Sequence, residues 1–230
     1  AKISDIVYDL LAEAILSSKI APGSKLNSAN IAASLGVSNT PVCSAIERLK
    51  ENGLVVELRN SGSKYRNYYV FDISRESMND LFVARKAIEC LSSSICAQKV
   101  ALIDMAQLNR LAAEFQEAWE DFIKDPNSAP AVSIRAKIDR EFHQLLVLST
   151  ENKYLIDMFE SILVTLNFLS IKTCEFVATE KSNDNIRIMG THHLAICRAI
   201  ESGFPELAST TMANHIDFCH YRCLFDRPMP

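Results

Sequence analysis

Apolar residues recur at three- and four-residue intervals through most of this chain, the period of amphipathic helices. From Ser4 to Ser18, an N-cap serine precedes Ile6, Val7, Leu10, Leu11, Ala14 and Ile15, which share one face. Ala21-Pro22-Gly23 breaks that helix. The stretch Asn27 to Val55 then reads as two short helices around a tight turn. Asn27 and Ser28 are N-cap types, and Ile31, Ala32 and Leu35 form an apolar stripe. Gly36 suits the left-handed position that ends a helix. Ser38 and Thr40 offer capping hydroxyls, Pro41 fits a first helical turn, and Val42, Ala45, Ile46 and Leu49 face inward. Helix, glycine turn and capped second helix make a helix-turn-helix, or an ordinary helical hairpin.

Beyond Gly53 the period changes. Leu54 to Leu58 and Tyr68 to Phe71 are rich in β-formers and flank a polar, glycine-containing turn, so they predict a β-hairpin wing. Arg59, Lys64 and Arg66 in that turn are either phosphate contacts or the charges of an ordinary solvated turn. From Ser74 the helical period returns. Helices are expected over about 74–98, 103–124, 132–149, 154–177, 186–202 and 205–225, with Asp125 to Pro130 as a loop. Met78, Leu81, Phe82, Ile88, Leu91 and Ile95 mark the buried side of the first. Short loops between long helices imply an antiparallel bundle. The fold class is therefore mainly α. Residues 1–72 form a winged helix-turn-helix with a small β-hairpin wing, and residues 73–230 form an all-helical domain.

Charge sharpens that division. The net charge of −4 hides eight Lys/Arg against six Asp/Glu in residues 1–70, and sixteen against twenty-two in the remainder. A mildly basic front suits a DNA-binding module joined to something else. No apolar run approaches the ~20 residues of a membrane span. The N-terminus lacks a charged-then-apolar signal pattern, which makes the cytoplasm the expected compartment. Seven irregularly spaced cysteines, with no Cys-x-x-Cys, read as free thiols; Cys90, Cys96 and Cys197 sit in apolar helical patterns.

Chemistry concentrates in the rear. Asp139 and His143 are spaced i,i+4 and project from one helix face, beside apolar Phe142 and Leu146. His192 and His193 lie on the fifth rear helix, where Ile196 and Ile200 share the face of His193. His215 lies on the sixth. Asp139, His143, His193 and His215 from three helices suit Zn, Ni, Fe or Mn if they converge. The alternative is a set of scattered core and surface histidines. A rival set, His215, Cys219, His220 and Cys223, lies within one helix, and one straight helix rarely closes a tetrahedral site.

The segment Val7 to Val55 resembles the GntR family of bacterial transcription regulators. The rear resembles the FCD ligand-binding domain of its FadR-like subfamily. The residues that carry this are Leu81-Phe82-Val83-Ala84-Arg85 with Glu89, Asp139-x3-His143, Glu151-Asn152, the run from His193 to Ile200, and Met212-x2-His215. The resemblance implies a homodimeric regulator that binds a double-stranded DNA operator, with a small carboxylate effector held in the bundle at a divalent ion. It implies Asp139, His143, His193 and His215 as metal ligands and Arg85 as an effector contact. It also implies a DNA-contacting set of Ser38, Asn39, Thr40, Pro41, Cys43, Ser44 and Arg48, with Arg59, Lys64 and Arg66 from the wing. Binding without turnover is the simpler expectation, since no nucleophile or general base is required; a metal-dependent hydrolase or lyase is the outlying reading.

One departure falls on the recognition helix. The family usually reads S-R-T-P-V-R-E-A there, and this chain has Asn39 and Cys43 in place of both arginines. Arginine is the usual bidentate reader of guanine, and asparagine of adenine. The alternative expectation is a ligand or metal sensor that has lost sequence-specific DNA binding and acts through protein partners.

Overall fold

The computed structural model describes residues 2–16, 19–58, 66–125, 129–179 and 183–225. The chain divides between Ile73 and Ser74 into two compact units. The first contains α1 (Ile3–Leu16), β1 (Lys25–Leu26), α2 (Ser28–Leu35), α3 (Asn39–Glu51), β2 (Val55–Leu58) and β3 (Asn67–Val70). The strands form an antiparallel sheet in the order β1-β3-β2, with Val55 opposite Val70 and Lys25 opposite Tyr69. The two-residue β1 is too short to leave an alternating signal in the sequence.

Local chemistry sets the helix-turn-helix. The Asn27 side chain accepts the Asn30 N–H at 3.1 Å and caps α2. Gly36 ends α2 at φ 66°, a left-handed conformation, and Val37 N–H reaches back to the Ala32 carbonyl at 3.1 Å. Ser38 stands at the N-cap of α3, but its side chain makes no capping hydrogen bond, contrary to expectation. Val42, Ala45, Ile46 and Leu49 are fully buried against α1 and the sheet. The buried stripe of α1 is narrower than its periodicity suggests. Val7, Leu11 and Ile15 are buried at i,i+4 spacing, whereas Ile6 and Leu10 are about half exposed.

The second unit is helical: α4 (Arg75–Gln98), a short 3-10 turn at Val100–Leu102, α5 (Met105–Lys124), α6 (Ala129–Leu148), α7 (Lys153–Thr179), α8 (Asn183–Glu201) and α9 (Pro205–Phe225). Ser74 and Asp104 cap α4 and α5 through their side chains. Helix α6 starts inside the expected loop, because a proline at position 130 falls in its first turn, where a missing N–H costs nothing. Helix α4 packs along α9, and α5 packs between α8 and α6. Phe115, Trp119 and Phe122 of α5 meet Met189 of α8 in a dense aromatic core. On α4, Leu91 lies outside the core, half exposed, in line with exposed Val83 and Ala87. No described helix is long and apolar enough to cross a membrane.

Trp119 is almost fully buried, with edge contacts to Phe115 at 6.0 Å and Phe122 at 5.3 Å between ring centroids. Trp119→Ala is expected to destabilise the helical unit by about 3–5 kcal/mol. Denaturant unfolding followed by far-ultraviolet circular dichroism measures the change.

Candidate functional site

Helix α6 turns Asp139 and His143 inward one above the other, α8 contributes His193 and α9 contributes His215. The Nε2 atom of His143 lies 3.3 Å from that of His193 and 3.2 Å from that of His215. Asp139 Oδ1 joins them, 3.4 Å from His193 Nε2 and 3.7 Å from His143 Nε2. The three histidines are buried and their donor atoms are close enough to share one ion. An ion about 2.1 Å from each nitrogen separates neighbouring nitrogens by roughly 3.0–3.4 Å in octahedral or tetrahedral geometry. The His143 spacings fall in that range, so the donor set fits a divalent transition metal.

Neighbouring groups hold the imidazoles in position. The His193 ring is stacked on Phe142, with centroids 4.2 Å apart, and also meets Phe115 at 4.1 Å. Glu89 of α4 faces His143 Nδ1 across a close ion-pair contact. A carboxylate on Nδ1 keeps the proton there and leaves the Nε2 lone pair pointing inward. His192, the unassigned member of the pair on α8, places its Nδ1 3.3 Å from His215 Nδ1 and steadies that ring from behind. Ser170 Oγ donates to Asp139 Oδ2 at 2.8 Å, leaving Oδ1 toward the centre.

Two buried arginines complete the site. Arg85 Nε donates to Glu89 Oε1 at 2.7 Å, and its Nη2 lies 3.1 Å from His143 Nε2. Arg135 of α6, 2% exposed, donates to the Ser170 carbonyl and hydroxyl. Its guanidinium lies 4.9 Å from the centroid of the Trp119 ring. A small cavity of ≈ 20 Å³ lies among Arg85, Arg135, Asp139, His215, Phe115 and Leu169. The reading of the sequence missed Arg135 and the positioning role of Glu89. Arg135 precedes Asp139 by four residues, so the face that points Asp139 inward carries it inward too.

Burial and charge set the protonation states together. Burial alone would raise the Glu89 carboxyl, but the Arg85 guanidinium, with His143, outweighs it and pulls it down to about 2. Burial works likewise against the Asp139 carboxylate, and its hydrogen bond with His193 and the charge of His143 bring it well below its ordinary value. Burial lowers His193 to about 4 against the opposing pull of Asp139, and lowers His215 well below the ordinary imidazole value. His193 and His215 are thus neutral at pH 7, the form that binds metal.

Among the described side chains of the rival cluster on α9, His220 stands apart. His215 points to the centre, with Cys219 Sγ 3.9 Å from its Nε2, whereas His220 stacks on Phe82 at 4.5 Å and lies 2.9 Å from Asn79 Oδ1. Position 223 lies outside the side chains described. In the first unit, Ser38, Asn39, Thr40, Cys43 and Ser44 are exposed along the start of α3, and Pro41 is half-buried. Arg48 turns to α1, 2.7 Å from Asp5 and 4.3 Å from the Tyr8 ring centroid. Arg66 pairs with Glu47 at 3.3 Å and with Glu57 at 3.8 Å. Arg59 and Lys64 lie outside the described residues.

Comparisons with known proteins agree across both units. Residues 80–218 match the FCD domain family, and residues 3–64 match the gntR family of bacterial regulatory proteins. The probable D-xylose utilization operon transcriptional repressor of Paenarthrobacter nicotinovorans is 23% identical over 93% of this chain and 85% of its own. The transcriptional repressor RspR of Escherichia coli is 24% identical over 93% and 86%. Among solved structures, Lar of Listeria monocytogenes superposes with a TM-score of 0.66 at 17% identity, covering 97% of each chain. A GntR regulator from Rhodococcus sp. RHA1 gives 0.58 at 19%, covering 96% of this chain and 97% of its own.

Protein prepared without chelator is expected to carry about one divalent ion per chain, which His143→Ala and His193→Ala abolish. Glu89→Gln is expected to weaken metal affinity by about 10–100-fold. Emission spectrometry and competition with a chromogenic chelator measure both. In the metal-free protein, His193 takes up a proton near 6.5 when unfolded but only near 4 when folded. Its contribution to stability is therefore fully present above pH 6.5 and lost as pH falls toward 4. The depressed carboxyl of Glu89 acts in the same direction at lower pH. Thermal melts across that range are expected to show falling Tm, with the upper part of the fall smaller in His193→Phe and the remainder carried by His215, which burial depresses in the same sense.

Proposed function

The chain belongs to the gntR family of bacterial regulatory proteins and carries an FCD domain, and from that premise we propose a metabolite-responsive, operator-binding transcription regulator whose effector sits at a divalent ion in the helical bundle. The observation that supports the metal is the set of inward-facing Nε2 atoms about His143, 3.2 and 3.3 Å away, with Asp139 beside them. A bound ion supplies a Lewis-acidic anchor for carboxylate oxygens. Asp139, His143, His193 and His215 hold it, and Arg85 offers a planar fork to the same carboxylate. Two exposed, apolar positions one helical face apart, Val83 and Leu91 on α4, suit burial against a second copy of the chain in a homodimer. A two-fold dimer reads an operator of matching two-fold symmetry. The cytoplasm is the compartment in which such a regulator meets DNA.

On the DNA side, the exposed start of α3 carries Asn39, Thr40, Cys43 and Ser44 and no arginine. We assign base reading to Asn39, whose amide matches the adenine edge, with the hydroxyls of Ser38, Thr40 and Ser44 and the thiol of Cys43 around it and Pro41 fixing the turn. Arg48 serves as a brace between α3 and α1 in the free protein, and Arg59, Lys64 and Arg66 of the wing supply phosphate contacts. The pairing of Arg48 with Asp5, and of Arg66 with Glu47 and Glu57, favours one alternative: a sensor that acts through a protein partner.

A gel-shift titration against the DNA upstream of the protein's own gene separates the two. The regulator reading expects retardation that weakens as salt rises, and a loss of about 1–3 kcal/mol in Asn39→Ala. Absence of retardation at low salt, with and without metal and small carboxylic acids, would leave the partner-acting sensor.

A further inference from the structure

The charges around the central cavity select the kind of acid that fits it. Among the described residues, Arg85 is neutralised by Glu89 at 2.7 Å. Arg135 and Asp139 balance each other through Ser170, which accepts from the guanidinium and donates to Asp139 Oδ2 at 2.8 Å. The metal ligands His143, His193 and His215 are neutral when they bind an ion. These carboxylates, guanidiniums and imidazoles therefore balance, and a divalent ion brings two buried positive charges that none of them offsets. A monocarboxylate leaves one of these uncompensated among largely buried side chains, which is costly. A dianion leaves none.

The placement of donors agrees with the charge. Two guanidinium groups, from different helices, line the same cavity: Arg85 of α4 beside His143, and Arg135 of α6 against Trp119. Arg85 reaches the lone pair of His143 Nε2, at 3.1 Å. With that lone pair given to an ion, the Arg85 Nη2 donor would need another acceptor, and Arg85 already lines the cavity. The second guanidinium then stands ready for a second anionic group. Phe82, Phe115, Leu169 and Met189 wall the space between with apolar surface. The free volume, ≈ 20 Å³, is about that of one water, so the walls must part to admit any acid, and a short one asks least of them.

We propose that the effector is a short dicarboxylate, one carboxylate held by the ion and Arg85 and the other by Arg135. This rests on the metal-centred effector reading above. The probes are succinate and butyrate, equal in carbon number and differing in one carboxylate, titrated calorimetrically into the full chain loaded with Zn²⁺. Succinate is expected to bind at least about tenfold more tightly, a difference of about 1.4 kcal/mol. Arg135→Gln is expected to erase that preference by weakening succinate more than butyrate, and Arg135→Lys to retain part of it. Equal affinity for the two acids in the unaltered protein overturns the proposal, whether or not the variants fold. So does an equal loss for both acids in Arg135→Gln. Zn²⁺ uptake with no heat from either acid overturns the effector reading itself, and this proposal with it.

Discussion

The helical unit is built around buried charge that must be balanced within the fold. Glu89 is wholly inaccessible, and Arg85, Arg135, His143, His193 and His215 are nearly so. A buried ion is expensive unless it is paired and hydrogen-bonded. The pairing links three helices: Glu89 of α4 engages Arg85 on its own helix and His143 of α6, while Arg135 of α6 reaches Ser170 of α7. Removing one member exposes the others to the same cost. The polar centre therefore fixes the register of the helices around it, and the aromatic core of Phe115, Trp119 and Phe122 supplies the apolar burial that holds them together.

That centre also shows what periodicity can and cannot convey. Asp139 and His143 were legible because i,i+4 spacing beside Phe142 and Leu146 leaves one direction for both side chains. His193 was separable from His192 by its buried neighbours Ile196 and Ile200. His220 falls out of any shared α9 site because five residues turn a helix well past one revolution, and it faces Asn79 and Phe82 instead. Arg135 was missed because arginine on a charged helix reads as solvated, and nothing local reveals Trp119 and Ser170 waiting on other helices. His192 was passed over for a related reason: its role is a contact to another histidine ring twenty-three positions away.

The first unit was legible for a different reason. Its turn is specified by local chemistry, an Asn27 cap and a left-handed Gly36, so a short window of sequence suffices. The errors there concern surface rather than topology. Ile6 and Leu10 share an apolar arc with Val7 and Leu11, but α3 covers only part of it. Arg48 carries a charge that any reader of a recognition helix would aim at DNA, yet the nearest carboxylate and ring, Asp5 and Tyr8, take it first. Charge counts along a chain cannot show which cations are already paired.

Arg85 brings the two kinds of reasoning together. Its Nε is committed to Glu89, and that pairing raises its pKa above the ordinary guanidinium value despite burial, so it stays a cation in any state of the site. Its Nη2 points at the His143 lone pair that an ion requires. Two cations cannot share one lone pair, so ion and guanidinium exclude each other there, and the displaced donor must find another acceptor. Glu89 already holds the other side of the same guanidinium, so a displaced Nη2 would be left to an acceptor in the cavity that Arg85 lines. A ligand shifts an equilibrium only by its differential affinity for the two arrangements. An acid that accepts from Arg85 after the ion has taken His143 has that differential by construction, because in the other arrangement the donor is already engaged. The ion and the acid then favour each other without direct contact between them being required.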